Sequence, residues 1–170
     1  GTDSSFVADN KGKVFALTYD KAFDEKPGTP DVYCFNEADG ELLWSLDTGI
    51  SHGQYILDGH DLYIATDITS SADRWAYDVF KIDTRSGEKL WEIGSGGNQL
   101  SRLFLSNFVL GDESLAFSIG DGGMRSYDKY TGDLIQVGNV PVKVNFNERI
   151  SSYSRGKYYF IDKNATFSFF

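Results

Sequence analysis

The 170-residue chain holds one cysteine, one methionine, two histidines and three prolines. A single cysteine excludes an intrachain disulfide and a cysteine-rich zinc centre. Cys34 lies in the apolar stretch 32–35 and is expected to be a buried, inert thiol. No apolar run reaches the roughly 18 residues that a membrane-spanning helix needs. Positive charge is also short, with 16 basic against 25 acidic residues and a net charge of −9. Nucleic-acid binding calls for a basic patch, so no nucleic-acid partner is expected.

Glycine and aromatics are plentiful: 18 Gly, 13 Phe, 10 Tyr and 3 Trp. That mixture favours short strands joined by tight turns over helices. It excludes a disordered chain, a coiled coil, a collagen-like chain and a helical bundle. The negative charge is uneven. Residues 1–50 carry 4 basic and 10 acidic residues, 51–100 carry 4 and 8, and 101–170 carry 8 and 7. The acidic portion is either a solvated surface or a docking face for a basic partner.

One segment recurs three times. It reads Asp31-Val-Tyr-Cys-Phe-Asn36-Glu-Ala-Asp39-Gly40-Glu41-Leu-Leu-Trp44, then Asp78-Val-Phe-Lys-Ile-Asp83-Thr-Arg-Ser86-Gly87-Glu88-Lys-Leu-Trp91. The third copy is Gly123-Met-Arg-Ser-Tyr-Asp128-Lys-Tyr-Thr131-Gly132-Asp133-Leu-Ile-Gln136. Each predicts a hairpin in which Asn or Asp caps the turn and glycine takes a positive φ. Upstream of each copy a second hairpin is predicted, around Gly12, Gly59 and Gly111, and a fourth around Gly156. The unit is therefore four antiparallel strands in about 45 residues, the length of one β-propeller blade. Expected blades cover about 4–49, 53–94, 104–137 and 148–170. The last has a third strand at 165–170 and no fourth, so the single expected all-β domain, 1–170, is a propeller-like array of about four blades, read as part of a ring or a fragment. The opening Gly1-Thr2-Asp3 is read as a processed start, a tag remnant or an excised fragment.

The hairpin pattern resembles the quinoprotein-type (PQQ-like) propeller repeat, carried by Asn36, Gly40 and Trp44, by Asp83, Gly87 and Trp91, and by Asp128, Thr131 and Gly132, with Gln136 in the tryptophan's place. The family's alanine is replaced by Cys34, Lys81 and Ser126. The resemblance implies that Trp44 and Trp91 dock between neighbouring blades. It also favours an extracytoplasmic location. It does not imply a PQQ-dependent dehydrogenase, because the chain has one cysteine and too few blades, and no cofactor is expected.

Catalytic machinery is not evident. His60 sits in the Gly59–Asp61 turn, and His52 in the connection 49–54 beside Ser51, whose side chain would point away from it. Two distant histidines make a zinc site improbable, and no metal is expected. Gly120-Asp-Gly-Gly123 lacks the Gly-Lys-Ser/Thr of a phosphate loop. The acidic stretch 20–31 lacks calcium-loop order. Asn164-Ala-Thr166 is a formal glycosylation sequon. The reading therefore leans away from an enzyme.

Function is expected on loops. Two long insertions, 19–30 and 67–77, are expected to emerge on one face with the blade connections. They carry Phe23, Arg74, Trp75 and Tyr77; His52 and Arg102 join them as expected partner contacts. The expected function is a noncatalytic binding module or scaffold presenting this face to a protein partner. Alternatives are a part of a larger propeller enzyme, quinoprotein or hydrolase, completed by further blades; a homo-oligomer; and an acidic inhibitor or immunity-type protein.

Overall fold

The computed structural model describes residues 4–9, 11–18, 31–48, 52–70, 74–94, 109–118, 123–139, 150–161 and 166–169. Among them every regular element is a β-strand. The first sheet runs β1 (Ser4–Ala8), β2 (Lys13–Thr18), β3 (Val32–Asn36) and β4 (Leu42–Leu46), ordered β1-β2-β3-β4. The second runs β5 (His52–Asp58), β6 (Asp61–Ser70), β7 (Arg74–Asp83) and β8 (Lys89–Gly94), in chain order. The third holds β9 (Val109–Leu110), β10 (Ser114–Ser118), β11 (Gly123–Asp128) and β12 (Leu134–Asn139), again in chain order. The fourth has three strands, β13 (Ile150–Ser154), β14 (Lys157–Ile161) and β15 (Thr166–Phe169). Among the described residues, three sheets of four strands and one of three match the sequence reading.

The repeated turn explains why the sheets look alike. Gly40, Gly87 and Gly132 have φ of 74°, 76° and 79°. Their N–H groups donate to the carbonyls of Asn36, Asp83 and Asp128 at 2.9, 2.8 and 2.9 Å. The same three residues donate their own N–H to Glu41, Glu88 and Asp133 carbonyls at 2.8, 2.9 and 2.8 Å. Their side-chain oxygens accept from Ala38, Arg85 and Tyr130 N–H groups at 3.0, 2.8 and 2.7 Å. The Asx side chain thus replaces a backbone partner two residues on, and glycine supplies the conformation that others resist.

The chain forms two compact units, Gly1–Asp73 with Asp78–Glu92, and Arg74–Tyr77 with Ile93–Phe170. In the first, Phe15, Leu17, Val32, Cys34, Leu62, Ile64, Phe80 and Ile82 form one buried cluster. Val7, Trp44, Leu46, Tyr55 and Leu57 pack against it. Each large side chain contributes about 1.5–3 kcal/mol of burial. In the second, Ala116 and Tyr158 are buried, with Val109 and Tyr153 against them.

Three details differ from the sequence reading. Much of the expected insertion 67–77 is strand, because β6 and β7 each run ten residues. Its Ser, Thr and Asp content suggests a loop, but Ile68, Thr69, Trp75 and Tyr77 have strong strand preference. Likewise His52 opens β5 rather than sitting in a connection, paired with Asp67, and Gly123 opens β11, paired with Asn139. The long hairpin strands therefore reach further than hydropathy alone indicates.

Candidate functional site

Phe23 and Arg102 lie outside the described residues. His52, Arg74, Trp75 and Tyr77 are placed by backbone alone, His52 at the start of β5 and the other three at the start of β7. β6 continues through Ile68, Thr69 and Ser70 past the last residue paired with β5. The first and third sheets have five- or six-residue strands in the equivalent places. Arg74, Trp75 and Tyr77 lie in the first four residues of β7, a ten-residue strand, while β6 runs about 10 Å past its pairing with β5, at about 3.3 Å per residue.

The described polar side chains cluster elsewhere, where the first and second sheets meet. Thr84 is fully buried. Its N–H and hydroxyl both donate to the His60 carbonyl, at 2.9 and 3.0 Å. Its own carbonyl accepts from Lys13 Nζ at 2.8 Å and from Trp44 Nε1 at 3.1 Å. Lys11 Nζ lies 3.3 Å from His60 Nε2. The Trp44 ring lies over Gly87, where an added Cβ would come within 2.7 Å of Cδ2. Trp44, on the first sheet, thus packs on Gly87 and bonds to Thr84 of the second. Trp91 packs its ring 5.9 Å from that of Tyr63 in its own sheet.

Charged groups here hold structure. Lys81, buried, pairs with Asp61 at 2.9 Å. Arg85's side-chain hydrogen bonds hold the Asp83 carboxyl far below the usual carboxylate range. Asp9 accepts from the N–H groups of Lys11 and Lys13 at 3.0 and 2.8 Å. Asp31 accepts from the N–H and hydroxyl of Thr48, each at 2.9 Å. Cys34 is fully buried, as expected, and burial pushes its thiol pKa up.

The second unit has a separate junction between its sheets. Tyr158 Oη and Ser114 Oγ share a hydrogen bond at 2.6 Å, and Tyr153 Oη donates to Asp112 Oδ2 at 2.9 Å. The rings lie 5.0 Å apart. Burial pushes the Tyr158 hydroxyl pKa up, against the Ser114 hydrogen bond. Among the described residues no group of three or more His, Cys, Asp and Glu side chains is arranged to hold a metal ion.

Sequence reasoning missed Thr84. It follows Asp83 in the repeat, where the other copies have Glu37 and Lys129. All three make one backbone bond, to the Gly12, His60 and Glu113 carbonyls at 2.9, 2.9 and 3.1 Å. Only the backbone role repeats, so residue identity gives no signal.

Solved structures align with this chain. The computationally designed Ika4 protein aligns over 95% of this chain and 86% of its own, with TM-score 0.64 and 13% identity. The chain BBS1N, crystallised in complex with ARL6DN, aligns over 98% of this chain and 50% of its own, with TM-score 0.57 and 11% identity. BamB from Moraxella catarrhalis aligns over 98% and 69%, with TM-score 0.43 and 17% identity. The fold is β-propeller-like. No protein family matches the sequence, and no curated protein does. At these identities the likeness concerns the fold alone.

Proposed function

We propose that this β-propeller-like chain is a noncatalytic binding module that presents the end of its second sheet to a protein partner. The observation supporting this is the length of β7, ten residues against five or six in the equivalent strands, with Arg74, Trp75 and Tyr77 in its first four residues. Trp, Tyr and Arg are enriched in interface hot spots. The polar side chains of the described core, by contrast, are committed to turns and sheet junctions.

The test is the double substitution Arg74→Ala and Trp75→Ala in an affinity-capture experiment against the wild-type chain. Loss of the captured partner with a Tm within about 2 °C of wild type is expected. A large fall in Tm would assign these residues to the stability of their own sheet and sink the reading. A second reading, part of a larger propeller, is favoured by the alignment with only half of the BBS1N chain.

A further inference from the structure

The outermost strands of the three four-stranded sheets, β4, β8 and β12, differ in how they are guarded. An edge strand offers unpaired N–H and C=O groups, and charged residues commonly protect it from pairing with another chain. The segment 31–48, carrying β4, holds five acidic residues and no basic one. The segment 78–94, carrying β8, holds four acidic and three basic residues, and Lys89 and Glu92 form an ion pair on the edge strand itself. The segment 123–139, carrying β12, holds two of each, and Leu134–Asn139 has no charge. Leu134, Ile135 and Val137 are 53%, 57% and 59% exposed. Among the described residues no strand pairs with the outer edge of β12.

Self-pairing about a twofold axis separates these edges further. An antiparallel β12 pair centred on Gln136 sets Ile135 opposite Val137 of the second copy, twice. Leu134 then faces Gly138, and Asp133 faces Asn139 rather than its own counterpart. The same operation on β4, centred on Trp44, sets Glu41 opposite Asp47, acid against acid. On β8, centred on Trp91, it sets Leu90 opposite Glu92. Only β12 of the three gives apolar cross-strand pairs without like-charge opposition. Residues 101–170 also carry 8 basic and 7 acidic residues, so this part of a chain of net charge −9 does not repel its copy strongly.

We propose that β12 is a self-association edge, and that its partner is a second copy of this chain joined by antiparallel β12–β12 pairing. Five paired β12 residues from each copy make an interface smaller than the roughly 1,200 Å² typical of stable complexes, so the dimer is reversible and weak.

Sedimentation velocity on the full chain over a concentration series tests this. Wild type is expected to dimerise at high micromolar concentration, undiminished by added salt. Val137→Lys is expected to raise the dissociation constant at least about tenfold, because the symmetric interface receives two charges. Leu43→Lys, on β4, should leave it unchanged. Circular dichroism checks that each variant is folded. Gln136→Cys adds a thiol on the axis, where cross-strand Cα separations of about 4.5–5.5 Å suit a disulfide. It should oxidise to a covalent dimer, while Leu134→Cys, facing Gly138, should not. The proposal is overturned if wild type stays monomeric throughout, if the dimer survives in folded Val137→Lys, or if Leu43→Lys disrupts it equally. Should Val137→Lys fail to fold, failure of Gln136→Cys to cross-link overturns it instead.

Discussion

The two sheet junctions, one in each compact unit, solve the same problem with different atoms. Between the first and second sheets an indole lies over Gly87 and donates to a backbone carbonyl, that of Thr84. Between the third and fourth, two phenols close over Gly111 and bond to side chains, Ser114 and Asp112. Each glycine leaves the space its aromatic neighbour fills. An added Cβ would lie 2.7 Å from Trp44 Cδ2 at Gly87, and 2.6 Å from Tyr158 Oη at Gly111. Gly87 is constrained twice, because its φ is also positive. At Gly87 the three nearest atoms all belong to the backbone-anchored indole, whereas at Gly111 they are the Tyr158 hydroxyl and the ring edge of Tyr153.

The largest expected effect tests that difference. Gly87→Ala adds a clash with a ring to left-handed backbone strain and should cost about 3–5 kcal/mol. Gly40→Ala has the same turn and similar φ but meets nothing within 4 Å, so it should cost only about 1–2 kcal/mol. Gly111→Ala should fall between, at about 2–3 kcal/mol, because it meets Tyr158 and Tyr153 but carries no left-handed backbone strain. Urea unfolding midpoints rank the three. Equal costs at Gly87 and Gly40 would mean that turn conformation, not Trp44, sets the requirement.

A smaller effect comes from removing the polar atom of each aromatic. Trp44→Phe removes the indole N–H and some packing, at about 1–2 kcal/mol. The Thr84 carbonyl keeps Lys13 Nζ, so it is not orphaned. Tyr158→Phe removes a hydroxyl and should cost about 1 kcal/mol in the same unfolding assay, since Ser114 Oγ can turn to water. A larger loss in Tyr158→Phe than in Trp44→Phe would reverse the ranking of the two junctions.

How far these features can be read from the sequence follows from what repeats. The Asx-to-glycine turns are legible because side chain and glycine both perform specific bonds in all three copies. Trp44 is legible as a blade contact only through the resemblance to the PQQ-like repeat, since Trp91 at the same repeat position packs on Tyr63 of its own sheet. Thr84 is not, because the repeat preserves only its backbone bond while Glu37 and Lys129 fill its place. Gly111 reads as an ordinary turn glycine, since the tyrosines that exclude a side chain there come from residues 153 and 158. The ten-residue lengths of β6 and β7 are not legible, because their Ser, Thr and Asp residues match loop composition.

The smallest effect separates the junctions by pH. Burial raises the Tyr158 hydroxyl above its ordinary value of 10.0, because the anion would lose solvent there. The neutral form is therefore the folded form's preference. Its contribution is fully present below pH 10 and is lost as pH rises through the raised value. The indole of Trp44 has no such ionisation. Cys34 shifts in the same direction in the first unit, from an ordinary value of 9.0, so the comparison is made in a Cys34→Ala background. In that background, alkaline unfolding should be shallower for Tyr158→Phe than for the parent, and unchanged by Trp44→Phe. Chemical denaturation at stepped pH measures this. If the parent and Tyr158→Phe lose stability in parallel above pH 10, the hydroxyl is solvated in the folded protein. The second junction would then rest on ring packing alone, and the contrast with the backbone-anchored indole would narrow to geometry.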